Sequence, residues 1–152
     1  MTDVRFYHLT RSRLEDALPV MLQRTLEREA RAVVRFASPE RLSDIDEALW
    51  TFDDAQFIPH GHEKTGFAEQ QPVWLTLGLD NPGEGAYLFV ADGGPIDGFE
   101  GFDVCSILFD GRDEQAVAQA RQRWVSVRDT QGDHALSYWQ QNPRGGWEQK
   151  KP

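Results

Sequence analysis

The sequence predicts an α/β fold built on a mostly parallel sheet, and three observations carry that reading. Strand-like and helix-like stretches alternate in order through the first fifty residues, the pattern of parallel strands joined by crossover helices. The chain's 152 residues suffice for one core and are too few for two, so a single domain over 1–152 is expected. Charged residues at 27% and hydrophobic ones at 39% fit a soluble globular chain rather than a disordered or membrane-spanning one.

The elements follow in order. Val4–Leu9 reads as a strand. Ser12 and Glu15 have the spacing of a capping box, and Leu14, Leu18, Met21, Leu22 and Thr25 then recur on one helical face. Pro19 interrupts that face and predicts a kink or a restart. Ala32–Phe36 is a second strand. Ser38-Pro39-Glu40 opens a helix with an N-cap and proline at its first position, and Leu42, Ile45 and Leu49 mark its buried stripe to near Trp50. Phe57-Ile58 is expected as a short third strand. A polar loop spans 61–71, and two strands follow, Val73–Leu77 and Tyr87–Val90, joined by a turn-rich stretch at 80–85. Val104–Phe109 is another strand, and a long helix is expected from near Arg112 to about Arg128. The remainder, Gly132–Trp147, holds two tryptophans and a tyrosine, aromatics that pay off when packed, so the tail is expected to dock.

Bulk properties narrow the function. The longest apolar run, Ala86–Ala91, is six residues, far short of a membrane span. Met1–Arg5 lacks the basic start and apolar core of a signal peptide, and the lone Cys105 forms no internal disulfide, which together predict a cytoplasmic protein. A net charge of −9 argues against wrapping a nucleic-acid backbone. The charge is uneven: residues 1–110 carry 9 basic and 20 acidic side chains, whereas 111–152 carry 7 and 5. That asymmetry either steers an anionic partner to the last third or is ordinary compositional scatter.

Catalytic signatures are sparse. The loop after the first strand, Thr10-Arg11-Ser12-Arg13, has no glycine to let backbone approach a pyrophosphate, and no Walker-type loop occurs. Gly83-Glu84-Gly85 lies between strands and reads as a turn. His60, His62 and Glu63 are zinc-type ligands that would need a further ligand from elsewhere. Cys105 sits among apolar neighbours, where thiols are inert, and Ser106 and Ser137 lack a nucleophile elbow. No cofactor or metal is expected. In the last helix, Val117, Arg121, Trp124 and Arg128 fall on one face. Two guanidiniums beside an indole suit a carboxylate attached to an apolar group. The same residues could instead complement the helix dipole while Trp124 faces the core.

Four blocks, in order along the chain, resemble the chi subunit of bacterial DNA polymerase III holoenzyme. They are Ser38-Pro39-Glu40-Arg41; Asp46-Glu47-Ala48-Leu49-Trp50 with Phe57-Ile58-Pro59-His60-Gly61; Gln71-Pro72-Val73 leading to Asn81-Pro82; and Tyr138-Trp139-Gln140-Gln141 through Gly145-Gly146-Trp147. The resemblance implies a Rossmann-like, three-layer domain without an active site of its own. It implies binding of the acidic C-terminal tail of single-stranded DNA-binding protein, which ends in proline and phenylalanine, at Trp50, Val117, Arg121, Trp124 and Arg128. It also implies a psi-subunit contact at Phe57, Ile58, Pro59 and His60, linking the chain to the clamp loader. Val117 and Val125 stand where better-known members carry lysine, which implies a less basic site. The competing expectation is a small nucleotide-binding α/β enzyme.

Overall fold

The computed structural model describes residues 1–53 and 57–151. Its strands are β1 (Thr2–Leu9), β2 (Ala32–Arg35), β3 (Val73–Thr76), β4 (Tyr87–Ala91), β5 (Val104–Asp110), β6 (His134–Gln141) and β7 (Trp147–Lys150). Its helices are α1 (Leu14–Glu27), α2 (Pro39–Thr51) and α3 (Glu114–Asp129). The strands form one sheet in the order β3-β2-β4-β5-β1-β6-β7. Every neighbouring pair is parallel except β6 and β7. This is the three-layer, mostly parallel α/β architecture that the strand–helix alternation predicts.

Direction of travel across the sheet decides which face each helix covers. The crossovers β1-α1-β2 and β2-α2-β3 step one way along the strand order, and β5-α3-β6 steps the other. Right-handed crossovers therefore put α1 and α2 on one face and α3 on the opposite one. The cores agree. Leu14, Leu18, Leu22, Ile45 and Leu49 pack with Val34, Leu75 and Leu108 on the first face. Ala120 and Val127 pack with Val4, Phe6, Leu88 and Ile107 on the second. Along β1 the alternation is direct, with Val4 and Phe6 facing α3 while Tyr7 and Leu9 face the other helices. The β4–β5 connection carries only a short 3-10 turn, and covers the α3 face with Phe99 and Phe102. Buried Arg35 pins it by donating to the carbonyls of Pro95 (3.2 Å) and Asp97 (2.6 Å). Among the described residues no helix is long and apolar enough to cross a membrane.

Local expectations met mixed outcomes. Ser38 caps α2, its hydroxyl accepting from the Arg41 amide at 3.3 Å with Pro39 at the first helical position. The Ser12–Glu15 capping box does not form. Arg13 is the N-cap, with no side-chain bond to a helix amide, because both box residues are engaged elsewhere: Ser12 Oγ accepts from Gln141 and Glu15 takes Arg41 at 2.8 Å. α1 runs through Pro19 without a restart. Phe57-Ile58 is not a strand; Ile58 drops into the core while Phe57 points out, and the next backbone pairing is Gly61 beside Trp74 on the edge of β3. The tail becomes β6 and β7, extending the sheet beyond β1. Gln141 locks it there. Its side-chain carbonyl accepts from the amides of Thr10 (3.3 Å), Arg11 (2.9 Å) and Ser12 (2.9 Å), its NH2 donates to Ser12 Oγ at 2.8 Å, and its backbone carbonyl accepts from the Thr10 hydroxyl at 2.8 Å.

Candidate functional site

Asp113 caps α3 by accepting from the Gln115 amide at 3.0 Å, and the helix then turns Ala120 and Val127 into the core. That rotation leaves Arg121, Val125 and Arg128 exposed and Trp124 half-buried between core and solvent. The Trp124 ring meets Phe6 edge-on at 5.3 Å and Tyr138 of β6 at 5.8 Å. Trp124 thus belongs to both expectations for it: one side faces the core and the other lines a cavity.

The cavity holds about 610 Å³. Trp124 and Tyr138 form its aromatic floor, Arg121 and Arg128 one wall, and Lys150 and Lys151 from the end of β7 another. His8, at the end of β1, completes it; its Nδ1 and the Tyr138 hydroxyl are 2.6 Å apart. Gly111 makes room for that ring, since a Cβ there would lie 2.0 Å from the imidazole. Burial, reinforced by the Arg121 charge, holds the His8 pKa below its ordinary value. Burial pushes the Tyr138 phenol up, so the His8–Tyr138 pair is neutral near pH 7. Arg121 makes no ion pair or hydrogen bond among the described residues, whereas Arg128 has an exposed partner, Asp129, at 3.0 Å. An unpaired guanidinium beside two aromatic rings can take a carboxylate joined to an apolar side chain.

The sequence-derived candidates are partly regrouped. Arg121, Trp124 and Arg128 come together. Val117, one turn earlier on α3, packs against the core and does not line the cavity. Trp50 lies on α2, across the sheet from α3. There it meets Phe57 at 5.3 Å and His60 at 5.0 Å, which joins it to the second group of candidates. Within that group Phe57 is 61% exposed, Pro59 is half-buried and Ile58 is only 1% exposed. His60 is also buried, its Nε2 2.9 Å from Asp46 and its Nδ1 2.7 Å from the Ile58 carbonyl. His8, Tyr138, Gln140 and the two lysines were not among the candidates; strand alternation through β6 would have paired Tyr138 and Gln140 on one face.

The other suspected chemistry is engaged structurally. His62 approaches Asp46 only at 3.7 Å, and among the described residues no cluster of three His, Cys, Asp or Glu side chains could hold a metal ion. Burial pushes the Cys105 thiol up to about 12, far from nucleophilic. The loop after β1, where a nucleotide phosphate would sit in a fold of this kind, has three successive amides occupied by Gln141.

The family model described as "DNA polymerase III chi subunit, HolC" matches residues 1–134. The chain belongs to the DNA polymerase III chi-subunit family. A "Probable DNA polymerase III subunit chi" from Rickettsia prowazekii (strain Madrid E) is 23% identical over 90 residues, covering 59% of this chain and 54% of that protein. The chain therefore spans about half the length of this curated relative. The matched stretch ends as β6 begins, so Tyr138, Lys150 and Lys151 lie beyond it, and the cavity joins family-matched α3 to a tail outside the match.

Proposed function

We propose that this chain is a non-catalytic accessory subunit that binds the acidic C-terminal tail of single-stranded DNA-binding protein and so connects DNA polymerase III to coated template in the cytoplasm. The observation that carries the reading is the unpaired Arg121 beside the Trp124–Tyr138 floor. The terminal phenylalanine of the tail would lie on the two rings, with Arg121 taking its carboxylate in bidentate fashion. Nucleic acid is reached mainly through that partner, in keeping with the net charge of −9. The competing nucleotide-enzyme reading is disfavoured by Gln141, which fills the amide cradle a phosphate would need.

Calorimetric titration with the last nine or so residues of the cognate binding protein tests this. Roughly micromolar affinity is expected, about −8 kcal/mol, falling at least tenfold in Arg121→Ala, since hydrogen bonds to charged groups contribute about 1.5–3 kcal/mol. No heat at low salt and high protein concentration would overturn it.

A second contact, with a psi subunit or another route to the clamp loader, is favoured by one observation. Trp50 and Phe57 are 59% and 61% exposed yet pack against each other at 5.3 Å, an apolar pair of the kind that anchors protein interfaces. Buried His60 meets the Trp50 ring edge-on at 5.0 Å.

A further inference from the structure

We infer that the C-terminal strand is part of the peptide site, with Lys150 and Lys151 contacting the acidic residues upstream of the bound chain end. The inference rests on the tail-binding reading and adds a specificity element to it. α3 is apolar at Val117 and Val125, so its own wall offers only Arg121 and Arg128.

Strand geometry puts the lysines opposite that wall. β7 pairs antiparallel with β6, and Lys150 lies directly across from Tyr138. Paired residues share a face of the sheet, so Lys150 stands beside the aromatic floor on the α3 side. Trp147, three residues back, points to the other face and meets Tyr7 edge-on at 5.0 Å, which anchors the strand. The connecting turn is tight: the Asn142 amide donates to the Gly146 carbonyl at 2.8 Å, and Asn142 Oδ1 accepts from Arg144 and Gly146. Lys150 thus sits on a fixed element, and Lys151 follows it directly into the cavity lining. Lys150 has a partner, Glu148 at 3.3 Å, but both are about half exposed, and such pairs are readily exchanged.

Two cationic walls across an apolar floor match one ligand chemistry, a peptide with a terminal carboxylate on one side of an apolar residue and acidic side chains on the other. Arg121 takes the terminus and the lysines take the upstream acids. A nucleic-acid strand would need a basic groove along its backbone, and the chain's net charge of −9 disfavours one.

The test is a cycle on the full chain, comparing the unaltered protein with Lys150→Gln/Lys151→Gln. Two nine-residue peptides ending in Pro-Phe with a free carboxylate are titrated, one with upstream aspartates and one with serines in their place. The unaltered chain should prefer the acidic peptide by about three- to tenfold at low salt, and the variant should bind both alike. Both substitutions are exposed, and an unchanged melting temperature will show that folding is intact. A variant that keeps the full preference overturns the assignment while leaving the tail-binding reading in place. No binding of either peptide by the unaltered chain overturns both. Loss of oligothymidylate binding with peptide preference unchanged would reassign the lysines to nucleic acid and likewise overturn it.

Discussion

Trp50 and Trp124 are both exposed enough to meet a partner, yet they sit on opposite faces of one sheet in opposite surroundings. Trp124 borders a cavity lined by Arg121, which has no partner among the described residues, and by a histidine held neutral. Trp50 stands exposed beside Phe57, and the cation on its own helix is fully committed. Arg41 holds Glu15 at 2.8 Å, Asp44 at 3.0 Å and Asp92 at 2.6 Å, tying α1, α2 and the end of β4 together. Its guanidinium is raised in pKa by the Glu15 bond, which in turn lowers the Glu15 carboxyl. Two aromatic surfaces of similar composition therefore differ in whether charge is left over. Leftover charge beside a concavity suits a charged peptide end, and spent charge beside an exposed aromatic pair suits an apolar interface.

The sharpest way to break the comparison is to detach the tail that builds one side of the cavity. Gln141→Ala leaves the amides of Thr10, Arg11 and Ser12 and the Ser12 hydroxyl without their partner. Partial rewetting moderates the cost, so a loss of about 3 kcal/mol is expected in urea unfolding, with weakened tail binding. A change below about 0.5 kcal/mol would mean that β6 is held by its ladder to β1 alone.

The two tryptophans can be compared directly. Trp124→Ala removes ring contacts to Phe6 and Tyr138 from a half-buried site, so a loss of about 2 kcal/mol is expected together with loss of peptide binding. Trp50→Ala should cost less than about 0.5 kcal/mol and leave peptide binding unchanged, while weakening any clamp-loader-side contact. Peptide binding lost in Trp50→Ala as well would join the two faces into one site.

How much of this was legible beforehand follows from which partners lie close in sequence. The strand–helix alternation was readable because each short apolar run is buried as a unit, as in Val73–Thr76. The α3 face was readable because Arg121, Trp124 and Arg128 share one helix. Ser12 misled because its real partner, Gln141, is 129 residues away and outcompetes the local box. Phe57-Ile58 misled because an apolar pair can straddle the surface of an irregular segment. Trp50 was grouped with α3 by the family resemblance alone, and strand order puts the two helices on opposite sheet faces. Tyr138 and Lys150 needed the β6–β7 register.

The finest distinction between the two surfaces is the neutral histidine in one of them. Burial and Arg121 lower the His8 pKa, while Asp110 and the Gly111 backbone partly oppose them, so the ring gains its proton only as pH falls below the ordinary 6.5. A depressed pKa means that folding favours the neutral ring. The associated stability is present above pH 6.5 and is lost as pH falls through the folded value. Binding of an anionic chain end has the opposite sign, because a carboxylate near His8 favours the imidazolium. The peptide's own carboxylates stay ionised down to roughly pH 4. Affinity should therefore rise about two- to threefold between pH 7.5 and 6 at constant salt, with proton uptake visible as a buffer-dependent heat. His8→Gln should flatten that profile and leave Arg121 dependence intact. A flat profile in the unaltered chain would place the chain end at Arg128, away from His8, and shift the aromatic contact toward the outer rim of Trp124.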